Sequence, residues 1–481
     1  MKELFGCCND TVRGILCIIG GILIHITYGY FYTVGNMAPY IVDYMNSNNI
    51  SVNKTSAVWL TSVGFSMQSI AMPLSAYIAT KIGFRIVVIC SCVLHSGSIA
   101  LTYFAVGWGF WAVVLFYGIF TGIGFGAGYS VIIAAATEWF PNRRGLVVGL
   151  VLGGFGAGAL IFIPVQTGFI NPANLKINAT TGSFTQPEIL NRVPQAFLLL
   201  AGITATLQII GILLMQEKSQ SAIENEQLGP EGQNVPYSED IYFDEEEKTT
   251  KRPNRYYVNW DRNRMVDVPP LTVFTALDFY LLWLSVCCGA IPITLVTSLY
   301  KVAGSRYIHD DAFLAGVSMA ASLCNSVGRV IWGRVCDRIS FKVPMCCMCI
   351  LWTALLFSFP FISEFSDTAA KATFVLWVSF MFLCQCGIFV FAPTATATIF
   401  GAVNFAVNYG FVYTAFLVGS LVASMMTNLG SVGASIEIHF FVAGAMSLLS
   451  IVSILLVVDR KVPHAFKYLN ALVRFRTRYL P

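Results

Sequence analysis

The stretch SLCNSVGRVIWGRVCDRISFK, residues 322–342, ends an apolar run and continues into a short loop that carries an acid among bases. A related loop, AYIATKIGFR at residues 76–85, follows an earlier apolar run, with Thr80 in the place of the acid. The recurrence of one loop after the second and the eighth apolar run predicts an ancestral duplication of six helices. We predict that the acid and the bases of these loops bridge helix ends and so hold the helices in one of two states. The loop residues concerned are Gly333, Asp337 and Arg338 in the later copy and Lys81, Gly83 and Arg85 in the earlier one.

Apolar runs long enough to cross a bilayer, about 20 residues each, recur along the whole chain. Hydrophobic residues make up 56% of its 481 residues and charged residues 11%, which excludes a soluble globular protein. The chain is therefore predicted to be an all-α membrane protein with twelve transmembrane helices in two pseudo-symmetric six-helix halves. The predicted spans lie near residues 14–36, 57–79, 86–106, 110–137, 145–167, 194–215, 271–298, 312–333, 343–362, 371–398, 405–427 and 437–458.

A polar stretch containing SEDIYFDEEEKTTKRPNRYY separates the sixth apolar run from the seventh. Its dense charge and low apolar content bury too little surface to offset the entropy of ordering, so it is predicted to be a largely disordered linker. The predicted organisation is an N-terminal six-helix half at 1–215, a cytoplasmic linker at 216–270, a C-terminal six-helix half at 271–460 and a basic cytoplasmic tail at 461–481.

The distribution of positive charge predicts the orientation. With both termini and the linker in the cytoplasm, 22 of the 29 Lys and Arg residues fall inside and six outside, as the positive-inside rule requires. The N-glycosylation triplets at Asn49, Asn53 and Asn178 all fall in loops assigned outside. We predict a glycoprotein of the plasma membrane, and an organellar membrane is compatible with the same sequence.

Several classes of function are not supported. The basic residues lie in short loops between spans, so the net charge of +4 does not imply nucleic acid. None of the fourteen cysteines falls in a predicted outer loop, and no metal site, cofactor or catalytic constellation is predicted. The chain lacks a GxxxxGK[ST] loop for ATP. The predicted partners are the bilayer and a small solute, and the sequence is silent on an accessory subunit.

Arg329 is the one basic residue inside a predicted span, since Lys371 stands at the outer edge of its span. An ionisable group in hydrocarbon costs at least about 2.5–3.5 kcal/mol unless it faces protein or water. Guanidinium stays protonated and can bind a carboxylate through two parallel hydrogen bonds, so we predict that Arg329 binds an organic anion. Asn325 shares its helix face. The alternative is that Arg329 lies close enough to the inner boundary to reach water.

Other polar residues in the spans are candidates for the same cavity. Tyr28 and Tyr32 follow His25 at helical spacing in the first span, and Tyr129 lies in the fourth. We interpret the three tyrosines as substrate-binding residues and His25 as the only mid-span group able to exchange a proton near neutral pH. The alternative for each residue is packing between helices.

The loop at 333–342 resembles the motif Gly-x-x-x-Asp-Arg-x-Gly-Arg-Lys of the major facilitator superfamily. The block AATEWFPNRRGLVVGLVLGGFGAGALIFIP, residues 135–164, and the segment NSVGRVIWGRVCDR, residues 325–338, are similar to the monocarboxylate transporter and oxalate/formate antiporter group. This resemblance implies the major facilitator fold and secondary transport by alternating access. It also implies that Arg329 binds the substrate carboxylate, with Tyr129 near it.

The chain departs from this group at three places. The first span has no lysine, Asn325 stands where proton-linked carriers have aspartate, and Phe416 stands where oxalate carriers have lysine. One cation matches a monocarboxylate such as pyruvate, lactate or formate, while a coupled proton and an exchanged anion both stay open. The alternatives are a carrier of an amino acid or neutral metabolite, and a non-transporting membrane receptor.

Overall fold

The structure is a computed structural model that describes residues 10–52, 58–173, 175, 184–216, 218, 267–304, 308, 311–430 and 436–459. The chain divides into two compact units, one formed by Met1–Gln216 with Asp267–Pro481 and the other by Glu217–Val266. Lys218 is the single described residue of the second unit. The predicted linker and the tail at 461–481 lie almost wholly outside the described residues, so the domain boundaries stay a prediction.

The described residues of the first unit form twelve long helices. The first, α1, runs over Asp10–Ser47 and passes through a 3-10 turn at Gly29–Thr33. The next five are α2 (Val58–Ile82), α3 (Phe84–Trp108), α4 (Phe110–Thr137), α5 (Arg144–Ile170) and α6 (Arg192–Leu214). The last six are α7 (Leu277–Gly304), α8 (Asp311–Ile339), α9 (Lys342–Ser358), α10 (Asp367–Phe400), α11 (Phe405–Tyr413, continued by Ala415–Gly430) and α12 (Ile436–Leu456).

Ten of these helices are apolar and long enough to cross a membrane by length and composition alone. The other two, α2 and α8, have 25 and 29 residues and are more polar. Gln68 on α2 and Arg329 on α8 are buried inside the protein, where a polar group can find partners that lipid does not offer. The prediction of a twelve-helix membrane protein is confirmed.

Helix packing repeats with a period of six helices. In the N-terminal half α1 packs on α5 and α6, α2 on α4, and α3 on α4 and α6. In the C-terminal half α7 packs on α11 and α12, α8 on α10, and α9 on α10 and α12. Two further pairs, α5 with α8 and α2 with α11, join the halves. The two halves are thus pseudo-symmetric, as the repeated loop predicts.

The crossing of α5 and α8 depends on glycine. A Cβ atom at Gly149 would lie 2.4 Å from the backbone oxygen of Arg329, and one at Gly333 would lie 2.1 Å from that of Gly145. Both distances are far below van der Waals contact, so the two backbones touch directly, as small residues four apart permit. This contact positions Arg329 between the halves.

Candidate functional site

The side chain of Arg329 lies between the two halves and is fully buried. Its Nε donates to Oδ1 of Asn325, one turn earlier on α8 (3.1 Å). Its Nη1 donates to the backbone carbonyl of Leu152 on α5 (3.1 Å), and its Nη2 donates to the hydroxyl of Tyr32 on α1 (3.2 Å). A cation of the C-terminal half is therefore held largely by the N-terminal half, and it does not reach water in this conformation.

The partners of Arg329 are an amide, a carbonyl and a phenol, all of them neutral. Among the described residues, no carboxylate lies within ion-pair distance of its guanidinium. Removing a cation from water costs several kcal/mol when no counter-ion replaces the lost solvation. A guanidinium has five N–H groups, so two remain for a bound group after these three hydrogen bonds. A cation in such surroundings is chemically able to accept one anion.

Aromatic rings form the walls around this cation. The Cζ atom of Arg329 lies 4.7 Å from the ring centre of Phe389 on α10 and 5.5 Å from that of Phe155 on α5. Tyr32 packs edge-on against Phe155, with ring centres 5.1 Å apart. Ring faces attract a cation and exclude water, so the guanidinium is held in place without neutralisation of its charge.

Tyr129 of α4 stands between the guanidinium and α11. Its ring centre lies 5.6 Å from that of Phe155 and 5.8 Å from that of Tyr413, and it interacts electrostatically with Arg329. The Tyr413 hydroxyl donates to Oε1 of Gln68 on α2 (3.0 Å), a hydrogen bond that joins the halves. The amide nitrogen of Gln68 is buried and has no hydrogen-bond partner in the described part of the chain.

The predicted residues of α1 face two different ways. Tyr32 contacts Arg329, whereas the Tyr28 hydroxyl donates to Oγ of Ser91 inside the N-terminal half (2.5 Å). A 3-10 turn advances about 120° per residue and an α-helix about 100°, so the turn at Gly29–Thr33 rotates Tyr32 by roughly 80° relative to a continuous helix. His25 lies against Tyr129, with ring centres 5.3 Å apart.

A second histidine, His95, is fully buried near the middle of α3. The expectation that His25 is the only mid-span titratable group of its kind is therefore wrong. The His95 ring stacks edge-on against Tyr28, with centres 5.2 Å apart, and its Nδ1 lies 3.1 Å from Nε2 of Gln208 on α6. The sequence signal that singled out His25, a histidine inside an apolar run, applies equally to His95.

Asp337, at the end of α8, binds the first turn of α5. Its two carboxylate oxygens accept from the backbone N–H groups of Gly145 and Leu146, both at 2.8 Å. A carboxylate at a helix N-terminus is stabilised by unpaired N–H groups and by the helix dipole. Because α5 and α8 belong to different halves, this contact holds the halves together at the predicted cytoplasmic end.

The earlier loop copy makes a different set of contacts. Arg85 donates to the carbonyl of Met215 at the end of α6 (2.8 Å), and the Lys81 ammonium lies 5.8 Å from the ring centre of Tyr77. Gly83 has φ +88°, which starts α3 with a sharp turn. These contacts stay within the N-terminal half. Thr80 donates to a carbonyl of its own helix and brings no carboxylate to α11. In the later copy, Arg338 is exposed on α8.

Of the three glycosylation candidates, the structure describes one. Asn49 lies in an exposed turn after α1 with φ +61°, a conformation that asparagine tolerates better than most residues. Asn53 and Asn178 lie outside the described residues. Modification at all three positions stays a prediction.

Comparisons with known proteins place this geometry in a family. The chain is 28% identical over 476 residues to apicoplast pyruvate carrier 1 of Toxoplasma gondii, covering 86% of this chain and 83% of the relative. It is 25% identical over 399 residues to the oxalate:formate antiporter of Oxalobacter formigenes, covering 82% and 78%. These relatives confirm the resemblance to the monocarboxylate and oxalate/formate group.

The fold matches solved transporters of the same architecture. The structure of the proton:xylose symporter XylE bound to 6-bromo-6-deoxy-D-glucose aligns with a TM-score of 0.64 at 13% identity, covering 96% of this chain and 100% of that one. At this identity the likeness establishes the fold alone. The sequence profile of the Major Facilitator Superfamily matches residues 20–403. The chain is a multi-pass membrane transporter that belongs to the major facilitator superfamily.

Proposed function

We propose that this transporter carries a small monocarboxylate, such as pyruvate, lactate or formate, across a membrane by alternating access. The observation that carries the proposal is Arg329, a fully buried cation between the two halves with no carboxylate in ion-pair distance among the described residues. A bound carboxylate can replace the water that the Arg329 guanidinium has lost, through two parallel charge-assisted hydrogen bonds. The names of the two curated relatives, a pyruvate carrier and an oxalate:formate antiporter, support the same substrate class.

Charge supports a monoanion over a dianion. The walls around Arg329 are Phe155, Phe389 and Tyr32, which are neutral. The position of the second cation in oxalate carriers is occupied by Phe416, which stacks on Tyr413 with ring centres 4.6 Å apart. A second carboxylate would therefore be desolvated against aromatic rings without a positive partner, at a cost of several kcal/mol.

Asn325 and Tyr32 orient the guanidinium, and Tyr129 supplies a hydroxyl beside it. Tyr28 contributes indirectly, by packing behind His25 with ring centres 5.6 Å apart. Binding at a site shared by both halves biases the equilibrium between inward-facing and outward-facing states, since each half alone holds an incomplete site. The Asp337 contact with α5 closes one side during this cycle.

Uptake of labelled pyruvate by proteoliposomes tests the proposal. We expect Arg329→Ala to reduce uptake about 30-fold or more, because truncating one partner of a buried charge pair costs about 2–5 kcal/mol. We expect Arg329→Lys to fail as well, since an ammonium lacks the planar fork. The matched control is Arg334→Lys, an exposed arginine on the same helix. Pyruvate uptake by Arg329→Ala at the parent rate would refute anion anchoring.

The membrane that holds the carrier is part of the proposal. The outer-loop triplets support the plasma membrane with cytoplasmic termini, and the name of the Toxoplasma relative supports an organelle. Loss of a glycan after Asn49→Gln, measured as a mobility shift, supports passage through the secretory route and an outer position for the loop after α1.

A further inference from the structure

We propose that a proton travels with the anion and that Nε2 of His25 is the atom that binds it. The inference rests on the proposed function, because it assigns a coupling ion to the site at Arg329. Two buried histidines lie within the N-terminal half, one on either side of Tyr28, at ring-centre distances of 5.6 Å for His25 and 5.2 Å for His95. Their hydrogen bonds distinguish them.

His25 is arranged to accept a proton. Its Nδ1 lies 2.9 Å from the backbone oxygen of Gly21, and a carbonyl oxygen can only accept, so Nδ1 carries the hydrogen of the neutral ring. The lone pair therefore lies on Nε2, which is buried and has no hydrogen-bond partner among the described residues. Protonation at Nε2 requires no existing hydrogen bond to break.

His95 is arranged in the opposite way. The amide nitrogen of Gln208 donates to Oγ1 of Thr27 (2.9 Å), whose own hydrogen is used on the carbonyl of Ile24 (2.6 Å). The amide oxygen of Gln208 accepts from Ser96 (2.6 Å). In the amide orientation of the structure, with Oε1 toward Ser96 and Nε2 toward Thr27, Gln208 presents an N–H group to Nδ1 of His95.

That N–H group occupies the only lone pair of neutral His95, so its ring hydrogen lies on Nε2. A second proton would have to enter at Nδ1, against the donor of Gln208, and the amide would have to turn over. His95 is thus held in its neutral form, and the proton site of this half is His25.

The surroundings of His25 couple this proton to the anion. Tyr129 of α4 and Phe155 of α5 lie against the ring, with centres 5.3 and 6.5 Å away. Tyr28 lies beside it on α1, and His95 of α3 stands behind Tyr28. Within the part of the chain that the structure describes, the remaining groups facing this region are the uncharged Gln208 of α6, which reaches α1 through Thr27, and Arg329 of α8, which acts electrostatically on His25.

Arg329 is the only charged group in that set. With the site empty, its positive charge repels a proton from His25. A carboxylate bound to Arg329 removes this repulsion, so anion binding favours protonation, and by linkage a proton on His25 favours anion binding. The proton adds to the Nε2 lone pair from water on one side and returns to water on the other. The carboxylate stays ionised throughout, so one proton and one anion move without net charge.

Two asparagine variants distinguish which of the two histidines binds the transported proton. In His25→Asn the new amide nitrogen can keep the bond to the Gly21 carbonyl, and in His95→Asn the new oxygen can keep the bond from Gln208. Neither asparagine titrates. The assay uses labelled pyruvate in proteoliposomes in two arms: exchange against internal pyruvate at equal pH, and net uptake with the inside one pH unit more alkaline. Uptake by protein-free vesicles is subtracted from both.

We expect the parent and His95→Asn to exchange pyruvate and to accumulate it about tenfold under the gradient, the limit for one proton per anion. We expect His25→Asn to exchange pyruvate more slowly than the parent, because the proton that favours anion binding is lost, and to show no gradient-driven accumulation. Accumulation by His25→Asn at the parent level, or its loss in His95→Asn alone, overturns the assignment. If His25→Asn does not fold, His25→Gln replaces it.

A pH-sensitive dye trapped in the vesicles gives a second readout on the unmodified protein. Net pyruvate entry should acidify the lumen by one proton per anion. Entry without acidification overturns proton coupling whatever the variants do. By contrast, a parent protein that fails to exchange pyruvate at equal pH refutes the proposed function itself, so the two failures are distinguishable.

Discussion

Replacing Asp337 with asparagine tests the contact that joins α8 to α5. The carboxylate makes two hydrogen bonds to backbone N–H groups, at 2.8 Å each, and a charge-assisted hydrogen bond contributes about 1.5–3 kcal/mol. Asparagine keeps one oxygen acceptor and turns its NH₂ group toward the other N–H. We estimate a loss of about 2–3 kcal/mol, which shifts the equilibrium toward opening at this end by about 30- to 150-fold.

Thiol labelling can measure this opening. Ser326 faces α5, donating to the backbone oxygen of Gly153 (2.8 Å), so a cysteine placed there by Ser326→Cys becomes reachable when the helices part. The assay is labelling by a membrane-impermeant maleimide from the predicted cytoplasmic side. Labelling of the same protein with Ser326 retained is subtracted, which removes the contribution of the native cysteines.

We expect Asp337→Asn to raise the labelling rate of the introduced cysteine in proportion to the open population. The matched control is Asp367→Asn, which removes the same charge from the first turn of α10, away from the crossing. An unchanged labelling rate in Asp337→Asn, or an equal increase in Asp367→Asn, refutes the reasoning that this carboxylate holds the two halves together.

Two further predictions concern the α5–α8 crossing and the charge of the site. Asn325→Asp places a carboxylate at the position that already accepts from Nε of Arg329 (3.1 Å). The internal ion pair should compete with substrate and raise KM for pyruvate about tenfold or more, and an unchanged KM would show that this carboxylate does not compete with the anion. Gly149→Val places a side chain where a Cβ atom alone would lie 2.4 Å from the Arg329 backbone oxygen, so we expect a lower Tm in detergent and loss of uptake. The control is Gly168→Val, because no atom lies within 4 Å of the Cβ position there. This control should keep the parent Tm and the parent uptake.

Much of the candidate site was predictable residue by residue. Arg329, Asn325 and Tyr32 are linked by hydrogen bonds in the structure. In the sequence they are recognisable because a polar group in hydrocarbon is costly unless it has polar partners or a function. The same criterion, applied to every apolar run, also selects His95 and Gln68. Phe155 and Phe389 could not be selected in this way, since an aromatic residue in a span is ordinary until a cation is found against it.

The direction in which each side chain points was the least predictable feature. Tyr28 and Tyr32 are four apart and were expected on one stripe, but the 3-10 turn between them sends Tyr32 to Arg329 and Tyr28 to Ser91. A turn of this kind depends on how α1 packs against its neighbours: a Cβ atom at Gly29 would lie 2.1 Å from the Phe155 carbonyl oxygen. Helical periodicity cannot anticipate such a contact.

By itself, the sequence determined the class of protein, the twelve spans, the repeat of six helices and the presence of one cation inside a span. It could do so because each span, independently of the others, must be long enough to cross the bilayer and apolar enough to lie in hydrocarbon. Only the tertiary structure decided what surrounds that cation. The absence of a nearby carboxylate in the described residues, the neutral aromatic walls and the hydrogen bond between His95 and Gln208 all depend on residues far apart in the chain. The hydrogen bond of His25 is local, to Gly21 one turn earlier, but the lack of a partner for its Nε2 among the described residues is a tertiary feature. The repeated loop predicted two related halves. In the structure the copy with Asp337 binds the other half, at Gly145, whereas Arg85 of the earlier copy binds Met215 of its own half.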